Sequence, residues 1–110
     1  MTPRGAIVWA NLGPTVGHEQ AGRRPVLVVS RTHFNKASGT VIAFPLTSQP
    51  QRLGYPVTAL LPDGILAKPT WVKLTQVRTV SAERLGALLG QAPDAFVRHC
   101  VLGLAQHCGL

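Results

Sequence analysis

This sequence predicts a mainly β fold of the α+β class, a small and strongly curved barrel with helices packed at its C-terminal end. Three observations predict it. Short, β-branched apolar runs recur along the first two thirds of the chain, and a helical apolar stripe occupies its end. The third is size: 110 residues at 45% hydrophobic content suffice for one buried core and leave no room for a second domain, so residues 1–110 read as a single domain.

Residues 5–12 (GAIVWANL) and 25–30 (PVLVVS) are nearly continuous apolar runs, as expected of strands covered on both faces. Between them PTVGHEQAGRR is too polar and glycine-rich for a core and reads as a long functional loop. Residues 31–39 form a turn region with a solvated His33. A third strand covers residues 40–46 (TVIAFPL), where Pro45 lacks a ladder donor and therefore marks a bulge or an edge. A fourth covers residues 53–61 and stops at the turn Pro62-Asp63-Gly64.

Residues 71–80 (WVKLTQVRTV) are strand-like, but their apolar positions change parity between Leu74 and Val77. That implies a bulge, or Gln76 and Arg78 turned toward something polar. Ser81 is placed to cap a short helix through Leu89, with Glu83 in the first turn and Gly90 as the stop. The last helix starts near Pro93 and Asp94, and Phe96, Val97, Cys100, Val101, Leu104 and Cys108 form its apolar stripe. Trp9 and Trp71 are candidates to stack bases, but are expected inside the barrel, because few other large aromatics are available to fill it.

Eleven Lys and Arg against four Asp and Glu give a net charge of +7 at pH 7. Polyanions, nucleic acid first, are the natural partners. Glu19, Asp63, Glu83 and Asp94 are too few and too scattered to favour two-carboxylate hydrolysis or an all-carboxylate magnesium site. No metal or other cofactor is expected: the pairs His99-Cys100 and His107-Cys108 lie two helical turns apart and cannot share an ion. By the same rise, Cys100 and Cys108 stand about 12 Å apart along the helix, beyond disulfide reach, and read as reduced core residues. The opening residues make neither a secretory signal nor a membrane span, which points to the cytoplasm and away from membranes. So small a domain covers spare apolar surface most readily by self-association, and a homodimer is expected.

The loop Pro14-Thr15-Val16-Gly17-His18-Glu19-Gln20-Ala21-Gly22-Arg23-Arg24-Pro25 concentrates a carboxylate, an imidazole and two guanidiniums between strands. Pro25 biases Arg24 to extended geometry, so its planar fork is held at a strand entrance, where it suits a phosphate. With its flanking strands, GAIVWANLGPTVGHEQAGRRPVLVVS resembles the MazF/PemK family of metal-independent endoribonuclease toxins from bacterial toxin–antitoxin pairs. FPLTSQ at residues 44–49 and LTQVRTVSAERL at residues 74–85 extend that resemblance over almost the whole chain. One departure is Ala6 after Gly5, where the family's first strand usually begins Gly-Asp.

The resemblance implies an SH3-like barrel of the MazF/PemK/CcdB type, a homodimer, single-stranded RNA as substrate, and a cognate antitoxin whose acidic, flexible tail suits the basic surface. It places the family's acid on Glu19, its arginine on Arg24 and its phosphate-contacting threonine on Thr47. RNA cleavage by an internal 2′-hydroxyl needs a base, charge or donors at the phosphorane, and an acid for the 5′-oxygen, but no metal-bound water. Glu19 is the candidate base, Arg24 the phosphate clamp and Thr47 a donor to a phosphate oxygen. Because a guanidinium is a poor acid, His18 is a second candidate to protonate the leaving group. Gln20, Arg23, Ser48, Lys73, Gln76 and Arg78 are candidate RNA contacts. The expected activity is sequence-selective cleavage of single-stranded RNA, messenger RNA foremost. Two other readings are a non-catalytic toxin of the same fold that inhibits DNA gyrase, and a basic SH3-like module that only holds RNA.

Overall fold

A computed structural model describes residues 2–14, 17 and 22–110. Along the chain run β1 (Ala6–Asn11), β2 (Arg23–Val28), α1 (Thr32–Ser38), β3 (Thr40–Thr47), β4 (Thr58–Leu60), β5 (Trp71–Lys73), β6 (Arg78–Ser81), β7 (Leu85–Gln91) and α2 (Asp94–His107). The strands form one antiparallel sheet in the order β4-β5-β3-β2-β1-β7, and β6 also pairs with β3. The sheet curls so that β6 and β7, joined by a 3₁₀ turn at Ala82–Arg84, flank the two ends of the β3-β2-β1 ribbon. This is the mainly β, SH3-like barrel with a C-terminal helix that the sequence predicts.

Strand periodicity explains the continuous apolar runs. Val8, Ala10, Val26, Val28, Val41 and Ala43 pack inward with Val80 of β6. Their neighbours Ile7, Leu27, Phe44 and Leu46 point to the other side, where Ala59, Val72 and the α2 residues Val97 and Cys100 cover them. Both faces of the central ribbon are dry, so neither parity is polar. Ala6, in place of the family's aspartate, is fully buried in the inner cluster, where a carboxylate would lose its water.

Several local expectations change. Residues 31–39 are not a turn: they hold α1, whose Gly39 caps the C-terminus at φ 71° and donates its N–H to the Asn35 carbonyl. A helix this short has no periodicity to read, and its buried residue is the polar Asn35. Asn35 is satisfied by the Ser30 hydroxyl and by donating to the Thr2 carbonyl at 2.8 Å, while Ser30 Oγ accepts the Ile42 N–H at 2.8 Å. His33 is exposed, as expected. The fourth strand is only Thr58–Leu60.

Pro45 marks neither a bulge nor an outer edge. It sits inside β3 where the outer partner changes from β6, which pairs as far as Ala43, to β5, which pairs from Leu46, so its missing N–H breaks no ladder there. The parity change at residues 74–77 is a 3₁₀ turn over Leu74–Gln76 between two strands rather than a bulge in one. Residues 81–89 contain no α-helix beyond the 3₁₀ turn, because Leu85–Gln91 pairs with β1 and that ladder outweighs the weak helix pattern.

On α2, Val97 and Cys100 are buried and Phe96 and Leu104 half-buried, but Val101 is exposed. Cys108 is exposed at the helix terminus instead of lying in the core, since the helix stops one residue before it. Trp9 and Trp71 are both half-buried rather than enclosed. Among the described residues no helix is long and apolar enough to cross a membrane.

Gly5 closes the fold. At φ +91° its N–H donates to the Val28 carbonyl at 2.7 Å and its carbonyl accepts the Ala92 N–H at 2.8 Å, tying β1, β2 and the entry to α2 together. A Cβ there would meet the Ala92 carbonyl oxygen at 2.9 Å, in a backbone region that costs an L-residue ~1–2 kcal/mol. Gly5→Ala is expected to destabilise by about 2 kcal/mol or more, seen as a lower urea midpoint at unchanged slope. Burial also pushes the Cys100 thiol from 9.0 up to about 12. Native protein at pH 8 should therefore expose one fast-reacting thiol, Cys108, and release Cys100 only on unfolding, as a thiol-reactive dye will count. Because the folded value is the raised one, the stabilisation linked to Cys100 is intact below pH 9 and falls as pH climbs toward 12.

Candidate active site

The connection after β1 is pinned at its two ends. Leu12 donates its N–H to the Gly22 carbonyl at 2.9 Å, and Gly22 donates to the Gly13 carbonyl at 3.0 Å. Arg23 and Arg24 consequently enter β2 in a fixed register, opposite Asn11 and Ala10. On its other side β2 pairs with β3 through Val26↔Pro45, Leu27↔Phe44 and Val28↔Ala43. That ladder ends at Val26↔Pro45, two residues short of Arg24 on β2 and of Thr47 on β3, so both lie just past the same end of the pairing. Two residues far apart in sequence thus meet at one end of the sheet.

They border a cleft of about 390 Å³ together with Arg23 and Ser48. Lys68 and Thr70, from the connection between β4 and β5, supply the facing wall, and Trp9, Pro25, Leu46, Leu66 and Leu89 make an apolar lining. Thr47 is only 4% exposed. Its Oγ1 accepts the Gln49 N–H at 3.2 Å, which leaves the hydroxyl proton to donate elsewhere. The Arg23 guanidinium lies 5.1 Å from the centroid of the Trp9 ring, a cation–π contact that holds it at the rim. Arg23, Arg24 and Lys68 put three cations around the cleft, and no described carboxylate borders it.

Glu19, His18 and Gln20 lie outside the described residues. Lys73 and Gln76 border a different groove of about 380 Å³, on which Arg52 also opens. Arg78 borders neither; its Nη2 donates to the Leu12 carbonyl at 3.2 Å and so braces the end of β1. The histidines of α2 serve packing. His99 stacks on Tyr55 with ring centroids 4.0 Å apart, and His107 Nε2 lies 2.9 Å from the Pro56 carbonyl oxygen.

Sequence reasoning missed Lys68 and Thr70, and it preferred the core for Trp9, which lines the cleft instead. Lys68 carried a usable signal: it precedes Pro69 as Arg24 precedes Pro25, so its backbone too is biased to an extended form at the mouth of a strand. Thr70 Oγ1 donates to the Lys68 carbonyl at 3.0 Å and fixes that turn.

The description "PemK-like, MazF-like toxin of type II toxin-antitoxin system" matches residues 3–108. The chain belongs to this family. Among its PemK/MazF relatives, "Endoribonuclease MazF2" of Mycobacterium bovis is 33% identical over 106 residues, which covers 94% of this chain and 93% of that protein. A crystal structure of MazF from Deinococcus radiodurans superposes with a TM-score of 0.86 at 32% identity, covering 99% of this chain and 97% of that one. MazF in a MazE–MazF crystal structure from the same organism superposes at 0.80 and 32% identity, over 99% and 96% of the two chains. The PemK/MazF assignment therefore spans every strand that builds the cleft, including the β4–β5 connection that carries Lys68.

Proposed function

We propose that this chain is a toxin of the PemK/MazF family that cleaves single-stranded RNA at selected sequences, messenger RNA foremost, without a metal ion. The observation that carries this reading is the one cleft, bordered by cations, that both Arg24 and Thr47 line. Names of relatives support the reaction class, since the M. bovis protein is an endoribonuclease. The MazE–MazF structure supports control by a cognate antitoxin, and the net charge of +7 suits one with an acidic, flexible tail. A homodimer acting in the cytoplasm, each chain one domain over residues 1–110, completes the proposal.

The chemistry needs few parts. A ribose 2′-oxygen attacks the adjacent phosphorus as Glu19 takes its proton, and the bond from phosphorus to the 5′-oxygen breaks to leave a 2′,3′-cyclic phosphate and a 5′-hydroxyl. The phosphorane gains charge on its equatorial oxygens. Arg24 stabilises that charge with a fork that never deprotonates, and the Thr47 hydroxyl donates to the same group. Lys68 adds positive charge across the cleft. His18 supplies the proton to the departing 5′-oxygen, the role a guanidinium fills poorly. Arg23, Gln20 and Ser48 hold the RNA near the cut, while Lys73 and Gln76 hold it further along and Arg78 secures the strand end beside them.

Purified protein incubated with long RNA in excess EDTA should give discrete cuts with cyclic-phosphate ends. Glu19→Gln, Arg24→Ala and Thr47→Val should each slow cutting, by roughly 10²–10⁴ for the first two. Intact RNA with inhibited gyrase would instead select the gyrase-poison reading, and intact but bound RNA the RNA-holding module. The pH dependence of kcat/KM separates base from acid: activity rises as Glu19 deprotonates and falls as His18 loses its proton. His18→Ala should abolish the alkaline fall, and an unchanged profile would remove His18 from the mechanism.

A further inference from the structure

Beside the catalytic cleft lies a smaller one of about 280 Å³, bordered by Trp9, Asn11, Arg23, Arg84 and Gly86 among others. Its volume is near the lower end for small-ligand pockets, roughly 300 Å³. Trp9 and Arg23 border both clefts, so this stacked pair forms the ridge between them. Arg84, in the 3₁₀ turn that leads into β7, faces the ridge from the far side, and no described carboxylate borders the smaller cleft. Gly86 keeps it open: a Cβ there would already touch the Trp9 Cβ at 3.4 Å. The roles given above use Arg23 only as an RNA contact and assign nothing to Trp9, Arg84 or Gly86.

An indole, a guanidinium layered on it and a second guanidinium bordering the same small cleft match one nucleotide unit, with an aromatic platform for the base and a cation for its phosphate. An acidic peptide would use the two cations but not the platform. We propose that this smaller cleft binds the nucleotide flanking the scissile phosphodiester, its base against the Trp9–Arg23 ridge and its phosphate on Arg84. The proposal rests on the ribonuclease reading of the neighbouring cleft. It assigns Trp9, Arg84 and Gly86 to substrate binding, with no part in proton transfer.

The test uses the full chain and a fluorescein-labelled pool of random-sequence 2′-O-methyl oligonucleotides, which lack the attacking hydroxyl and cannot be cut, with cleavage of long RNA assayed in parallel. Arg84→Gln should lower the slope of log affinity against log salt by about one, the signature of one lost phosphate contact, and raise KM more than it lowers kcat. Trp9→Ala should weaken oligonucleotide binding by about 5- to 150-fold, the loss of one base stack, and Trp9→Phe should restore most of it. Gly86→Val should weaken binding by blocking the cleft with all charges kept. Cleavage by wild type with an unchanged salt slope in Arg84→Gln would overturn this subsite alone. Tight oligonucleotide binding that depends on Arg84 and Trp9, without any cutting, would overturn the ribonuclease reading and leave the subsite standing. Wild type that neither binds the pool nor cuts would overturn both.

Discussion

The antiparallel register between β2 and β3 is the constraint on which the site depends. Antiparallel pairing leaves no freedom of half measures, because a slip of one residue would turn every side chain on β2 to the opposite face. Here both faces are buried, and the two clusters are unlike: one is filled mostly by Val and Ala, whereas the other holds Phe44, Leu46 and Leu27 with residues of α2. A slipped strand would force large side chains into the small core and leave voids in the other. Packing thereby enforces the register, and the register brings Arg24 and Thr47 to the same end of the β2–β3 pair.

Around that axis the outer elements act as braces. The Asn35–Ser30 network anchors α1 to the end of β2 and the start of β3, and Gly5 joins the first strand to the entry of α2. Tyr55 donates to the His99 carbonyl at 2.9 Å and stacks on its ring, which fastens the segment after β3 to the C-terminal helix. The site therefore sits on strand ends held from three sides, with its wall supplied by the turn at Lys68. Preorganised charge of this kind is worth most where it does not have to move when charge develops on a bound group.

Charge acts at two ranges. The surplus of basic residues draws a polyanion toward any face, a long-range effect that salt screens. Cations around the larger cleft and its smaller neighbour act at contact distance, where the described boundary holds no carboxylate to offset them. Arg23 takes part in both clefts, and its layering on Trp9 spares it the entropy of a freely rotating side chain at the moment of binding.

The sequence by itself determined the class of fold, the three central strands and the terminal helix, and it named Arg24 and Thr47, which border one cleft. The physical reason is that β-branched runs buried on both faces and a 3.6-residue stripe are local patterns, and a family motif is read residue by residue. The placement of Lys68, Trp9 and Arg84 was not legible, since a cation in a turn or an aromatic in a strand has no local feature that says which distant strand will face it. The same limit explains β7: residues 85–91 are weak strand formers that became a strand because β1 offered a ladder, and α1 was too short to show a period. Only the tertiary structure decided those, because strand pairing and cleft walls are set by free energies of contact between segments far apart in the chain.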